Sequence, residues 1–110
     1  MGVVNGDWGG MSGLISGDLF ARAVDLHDEG AREFAFPSTV AREVFDSLIS
    51  AKCSILGGDL WKRVDGGFVV GQEAWYDGGY GYVRQRWESF YDLFSGEESY
   101  FSFVFRGPLR

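Results

Sequence analysis

A tight glycine turn lies between two β-branched and aromatic runs of this chain. Asp65-Gly66-Gly67 separates residues 60–64 from residues 68–70. Glycine permits the positive φ that a short hairpin turn requires, and Val, Phe and Trp favour strands. The segment therefore predicts a β-hairpin. The preceding pair, Gly57-Gly58, is expected where the chain leaves a helix for the first strand, to turn sharply or approach a neighbour closely, and Asp59 is expected to open that strand.

Two segments carry the three- and four-residue spacing of apolar side chains that indicates amphipathic helices. A weaker stripe predicts a further helix over residues 18–29, with Asp18 as its N-cap and Gly30 as its stop. Ser38 or Thr39 is predicted to cap the next helix, and Gly96 follows the last one. The two clear stripes are Val40, Val44, Phe45, Leu48 and Ile49, and then Val83, Trp87, Phe90, Tyr91 and Phe94.

Strict alternation over residues 100–106 predicts a strand with Phe101, Phe103 and Phe105 on one buried face. In the link over residues 31–37, alternating phenylalanines are expected to pack or pair briefly before Pro37. The order of elements predicts an α+β fold with a small antiparallel or mixed sheet covered by about three helices. We expect one domain over residues 18–110, preceded by a flexible, glycine-rich lead-in over residues 1–17.

Composition narrows the classes of function. A chain of 110 residues that is 45% hydrophobic can bury a core without a metal or disulfide. The formal net charge of -6 disfavours nucleic acid as a partner and favours a basic one. No apolar run is long enough for a membrane helix, and no signal peptide is recognisable, so membrane partners are not expected. The lone Cys53 favours a reducing, cytoplasmic location.

Catalytic constellations are weak in this sequence. His27 is the only histidine, and acidic residues rather than a nucleophile flank it. Asp59, Glu73 and Asp77 are candidates for paired carboxylates at one end of the hairpin, but solvated or turn-capping roles are favoured. Cys53 has no histidine beside it in the sequence. We therefore expect no enzymatic activity, no cofactor and no metal.

A partner-binding surface is the more informative hypothesis. Aromatic residues crowd around the hairpin and its exit loop together with acidic residues, a mixture typical of protein interfaces, although core packing explains half or more of the aromatics equally well. A second acidic run follows the last helix, although a solvated surface explains it as well. The candidate partner-binding residues are Asp59, Trp61, Glu73, Trp75, Tyr76, Asp77, Tyr80, Glu97 and Glu98.

The run Ile55-Leu56-Gly57-Gly58-Asp59-Leu60, followed by Trp75-Tyr76, an amphipathic helix and a Tyr/Phe-rich last strand, resembles the immunity protein 40 family. The resemblance covers roughly the second half of the chain. It implies a small α+β protein, encoded beside a bacterial polymorphic toxin, that binds and neutralises that toxin. It carries no catalytic residues. The alternative is a small-ligand-binding or adaptor domain with an aromatic pocket at the hairpin.

Overall fold

Five antiparallel strands form a single sheet in the computed structural model, which describes residues 15–26, 34–77 and 81–107. The strands lie in the order β1-β2-β5-β3-β4, so β3 is flanked by β5 and β4. This arrangement confirms the predicted α+β class. The elements are, in chain order, α1 (Gly17–Phe20), β1 (Val24–Asp25), β2 (Phe34–Pro37), α2 (Ser38–Ser50), β3 (Ser54–Val64), β4 (Gly67–Tyr76), α3 (Val83–Phe94) and β5 (Ser99–Arg106).

Helices α2 and α3 run in opposite directions over one face of the sheet. Arg84 Nη1, early in α3, lies 3.0 Å from Asp46 Oδ1, late in α2. Arg42 Nη2, one turn earlier in α2, lies 2.9 Å from Glu88 Oε1, one turn later in α3. Exposed ion pairs of this kind contribute at most about 1 kcal/mol, so they orient the helices more than they stabilise them.

Aromatic packing around Trp87 of α3 forms the centre of the core. The Trp87 side chain is fully buried, and its ring centroid lies 5.5 Å from that of Phe45 in α2. It lies 5.1 Å and 5.3 Å from the rings of Phe103 and Phe101 in β5. Large aromatic side chains bury the most apolar area, and edge-to-face contacts add to that gain. Together with the burial of Phe105, these contacts confirm the predicted buried face of the last strand.

The opposite face of the sheet, here called the open face, carries a second apolar cluster. Leu26, Ala35, Trp61 and Tyr100 are buried there. Trp61 Nε1 donates a hydrogen bond of 2.9 Å to Ser102 Oγ, so the indole N–H is satisfied in the buried cluster. This cluster lies toward the hairpin end of the open face.

The predicted hairpin is confirmed, but its strands are longer than predicted. Gly66 in the turn has φ +87°, in the region that favours glycine. Strand β3 already begins at Ser54, so Gly57 and Gly58 lie inside it. The predictions that these glycines precede the strand and that Asp59 opens it are therefore wrong. The glycines serve close approach of neighbouring strands instead of a sharp turn.

The helix predicted over residues 18–29 is wrong over residues 21–26, the part beyond Phe20 that the structure describes. Helix α1 ends at Phe20, and Val24 pairs with Ala35 in an antiparallel bridge. The predicted stripe is divided between two layers, because Phe20 packs against the core under the helices whereas Val24 packs against the open-face cluster. The N-cap is Ser16, whose Oγ accepts a hydrogen bond from the Leu19 N–H. The predicted stop at Gly30 lies outside the described residues.

The start of α2 also differs from prediction. Pro37 is the N-cap residue, and no side chain caps the helix. The hydroxyl of Ser38 accepts from the Gly96 N–H at 3.0 Å, so it joins the start of α2 to the end of α3. The predicted cap by Ser38 or Thr39 is therefore wrong, because Ser38 has a tertiary partner. Helix α3 spans the predicted apolar stripe from Val83 to Phe94, and Gly96 follows it as expected.

The packed part of the chain begins earlier than residue 18. Ile15 is buried and belongs to the core under the helices. Residues 1–14, where most of the expected lead-in falls, lie outside the described residues.

Replacing Phe103 with Ala is expected to cost about 3 to 5 kcal/mol of unfolding free energy, because a fully buried ring is lost beside Trp87. Chemical denaturation measures this cost. The matched control is Val104→Ala at the next position, whose side chain is 42% exposed on the opposite face. If the two variants lose equal stability, the assignment of faces in β5 fails.

Candidate functional site

Two adjoining cavities meet at the last residues of β4. The first, here called the pit, has a volume of about 340 Å³ and opens on the open face of the sheet. The second, here called the groove, has a volume of about 580 Å³ and lies between β4 and α3. Ala74, Trp75 and Tyr76 line both cavities, so they form one continuous surface.

The pit exists because a glycine lies in the middle strand of three, with a larger side chain paired to it on each side. Gly57 pairs with Val104 of β5 on one side and with Tyr76 of β4 on the other. A Cβ atom on Gly57 would overlap the carbonyl oxygen of Trp75, so no side chain can fill the space between the two flanking residues. The walls are therefore side chains, whereas the floor is backbone.

Asp59 supplies the charge of the pit. It lies two residues after Gly57 in β3, where it pairs with Ala74 of β4 and Ser102 of β5. Burial raises the pKa of the Asp59 carboxyl, since desolvation disfavours the charged form. The carboxylate makes no hydrogen bond or ion pair with any other described residue. The pit thus combines apolar walls with a carboxylate that no described residue pairs with.

The groove is lined by exposed apolar side chains. Tyr76 is 73% exposed, Tyr82 53% and Leu93 75%. Arg86 contributes the charge, and its Nε lies 3.4 Å from Asp77 Oδ1. Exposed large side chains that cluster in this way mark interaction surfaces more often than isolated ones do.

Three predicted binding residues are structural. Trp75 is only 8% exposed and packs its ring 6.1 Å from that of Trp87. Trp61 is buried in the open-face cluster. Asp77 is buried, and its Oδ1 accepts a hydrogen bond from the Tyr82 N–H at the start of α3. These three side chains are used inside the fold, and whether the residues contact a partner stays a prediction.

The remaining predicted residues do not form one surface. Tyr76 and Asp59 line the pit, and Glu73 is exposed on β4 nearby. Glu97 and Glu98 are exposed, but they follow the far end of α3, roughly 18 Å along the helix from its start. Tyr80 lies outside the described residues.

Several site residues were missed because no local pattern marks them. Gly57 was expected only as a backbone feature of the chain, yet it forms the floor of the pit. Val104 was placed on the second face of the last strand, and alternation alone could have identified it as an exposed wall. Leu93 falls between the buried positions of α3, so its 75% exposure follows from helical geometry.

Other kinds of site find little support in the described residues. In that part of the chain, no three His, Cys, Asp or Glu side chains lie close enough together to hold a metal ion. Nor is any of its helices long and apolar enough to cross a membrane. Cys53 is buried, and that burial raises the pKa of its thiol, which lowers the fraction of reactive thiolate.

No protein-family model, curated protein or solved structure matches this chain. The resemblance to the immunity protein 40 family therefore stays a prediction.

Gly57→Ala is expected to destabilise the protein by about 1 to 3 kcal/mol, because the added methyl group overlaps backbone that cannot move independently of β4. Gly17→Ala is the matched control, since a Cβ there has no atom within 4 Å. Its stability should be unchanged or slightly raised. Denaturation midpoints for both variants test the close approach, and equal midpoints would contradict it.

Asp59→Asn is expected to raise the melting temperature at pH 7, because the amide avoids the cost of a desolvated charge. Folding raises the pKa of Asp59, so the folded state binds more protons than the unfolded state just above the ordinary aspartate pKa of about 3.9. Wild type therefore loses stability relative to the variant as pH rises through the raised pKa. The advantage of the variant should shrink on acidification. An advantage that is constant or larger at low pH would contradict this account.

Proposed function

We propose that this protein neutralises a bacterial polymorphic toxin by binding it stoichiometrically, with the pit and the groove as its contact surface. The observation that carries the proposal is the position of the two segments in which the chain resembles the immunity protein 40 family. They are neighbours in the sheet, because Gly57 pairs with Tyr76 and Gly58 with Trp75. Both segments line the pit.

The chemistry of the surface suits a protein partner. The centre of a protein interface is rich in aromatic and apolar residues and poor in charge. Tyr76, Tyr82 and Leu93 provide such side chains along the groove. A partner that covers them removes a large apolar area from water, which is the main gain in protein association.

The charge of the protein favours a basic toxin. The formal net charge is -6, and the acidic Asp59 lies within the proposed contact surface. Charges outside the contact mainly accelerate encounter, so we assign Glu97 and Glu98 to long-range attraction. The expected cytoplasmic location is part of the same proposal.

Binding is proposed in place of catalysis. Asp59 and Cys53 are the described groups whose pKa values burial raises. They are six residues apart in the chain, and Cys53 packs into the core under the helices whereas Asp59 lines the pit on the open face. Because they are on different sides of the sheet, they cannot act together on one substrate.

A small-ligand-binding role is the second candidate. The pit and the groove have volumes in the range of small-molecule sites, about 300 to 1,000 Å³. However, Tyr76 between them is 73% exposed, so a small ligand would leave much of this apolar surface uncovered. A protein partner is large enough to cover the pit, the groove and the Tyr76 ring between them.

Co-expression with the toxin encoded beside this protein tests the proposal. Wild type should restore growth and co-purify with the toxin. Tyr76→Ala should speed dissociation by roughly thirtyfold, which corresponds to about 2 kcal/mol for an aromatic anchor. Surface plasmon resonance measures the rate.

Val69→Ala is the matched control, because Val69 is 49% exposed on the same strand but does not line the groove. Its dissociation rate should equal that of wild type. If wild type neither restores growth nor co-purifies with the toxin, the proposed function fails and the small-ligand role becomes the leading hypothesis.

A further inference from the structure

We propose that the pit receives a single arginine side chain of the partner protein, with its guanidinium group on the Asp59 carboxylate and against the Tyr76 ring. This inference deepens the proposed function and rests on it, because it names the side chain that a basic partner presents. It depends on three observations: the shape of the pit, the unpaired charge and the exposed ring.

The shape of the pit requires a narrow side chain. Its centre is the bare backbone of Gly57 and Gly58, and Val104 and Tyr76 stand on either side. Both glycines pair with residues of β4 and β5, so the backbone groups of the floor are used in sheet hydrogen bonds. The occupant must therefore contact the floor through van der Waals packing and direct its polar group toward Asp59.

The charge of the pit requires a cation. The Asp59 carboxylate is partly desolvated, and no described Lys or Arg pairs with it. A buried anion without a partner carries a free-energy cost, which an incoming cation offsets. Arg63, on the same face, stacks on Phe68 and Tyr100 toward the hairpin turn.

The walls favour arginine over lysine. A guanidinium group is planar and weakly hydrated, it donates to both oxygens of a carboxylate, and it stacks on an aromatic face. Tyr76 offers such a face, since its side chain is 73% exposed beside the pit. The ammonium group of lysine is more strongly hydrated, so it gains less from an apolar cavity. The apolar stem of arginine matches Val104 and the glycine floor.

The test uses the isolated protein and small probes, so it does not require the toxin. Backbone amide signals are followed by NMR during titration with N-acetyl-argininamide at constant ionic strength. Saturable shifts are expected at Gly57, Gly58, Asp59 and Tyr76. The uncharged isostere N-acetyl-citrullinamide should produce none, and N-acetyl-lysinamide should bind more weakly than the arginine probe.

Asp59→Asn should weaken binding of the arginine probe at least tenfold. Asp65→Asn is the matched control, because it removes one carboxylate from the exposed hairpin turn and should leave binding unchanged. The inference is overturned if the citrulline probe shifts the same signals, if the lysine probe binds as tightly, or if Asp59→Asn retains wild-type affinity. If the protein binds the toxin but the pit does not bind the arginine probe, only this inference is overturned. If the pit binds the arginine probe but the protein binds no toxin, only the proposed function is overturned.

Discussion

Close backbone approach at Gly57 and Gly58 sets the spacing of β3 from both of its neighbours, β4 and β5. A Cβ on Gly57 would overlap the carbonyl oxygen of Trp75 in β4, and one on Gly58 would overlap that of Ser102 in β5. These contacts lie on both sides of the same strand, so they fix the spacing of three strands at once. Phe103, the neighbour of Ser102, and Trp75 both point into the aromatic core. A larger residue at either glycine would therefore displace the core, which tolerates little change in volume.

The same constraint creates the candidate site. Because no side chain is possible at Gly57, an empty position lies between Tyr76 and Val104 on the open face. Asp59 beside it is partly desolvated and has no partner among the described residues, which costs stability in the unbound protein. Locally unfavourable features of this kind are expected at functional sites, where binding compensates for them. The structure thus connects a packing requirement in β3 to a surface that suits a positively charged partner.

Local patterns in the sequence predicted those elements whose two faces have contrasting environments. The stripe of α3 and the alternation of β5 identified Trp87 and Phe103 correctly, because each element buries one face against the core. The stripe over residues 18–29 failed, since its apolar residues serve both sides of the sheet and a strand interrupts the helix. Strand pairing over long sequence separations is invisible to such patterns. The pit could not be predicted for this reason, because it requires β5 and β4 on either side of Gly57.

The most direct measurement is the pH titration of the Asp59 carboxyl carbon by ¹³C NMR in the unbound protein. This carboxylate is partly desolvated in the pit, and no described Lys or Arg pairs with it. We predict a titration midpoint above the ordinary aspartate pKa of about 3.9. A midpoint at or below that value would mean that a cation or a set of hydrogen-bond donors already satisfies Asp59, and it would contradict the account.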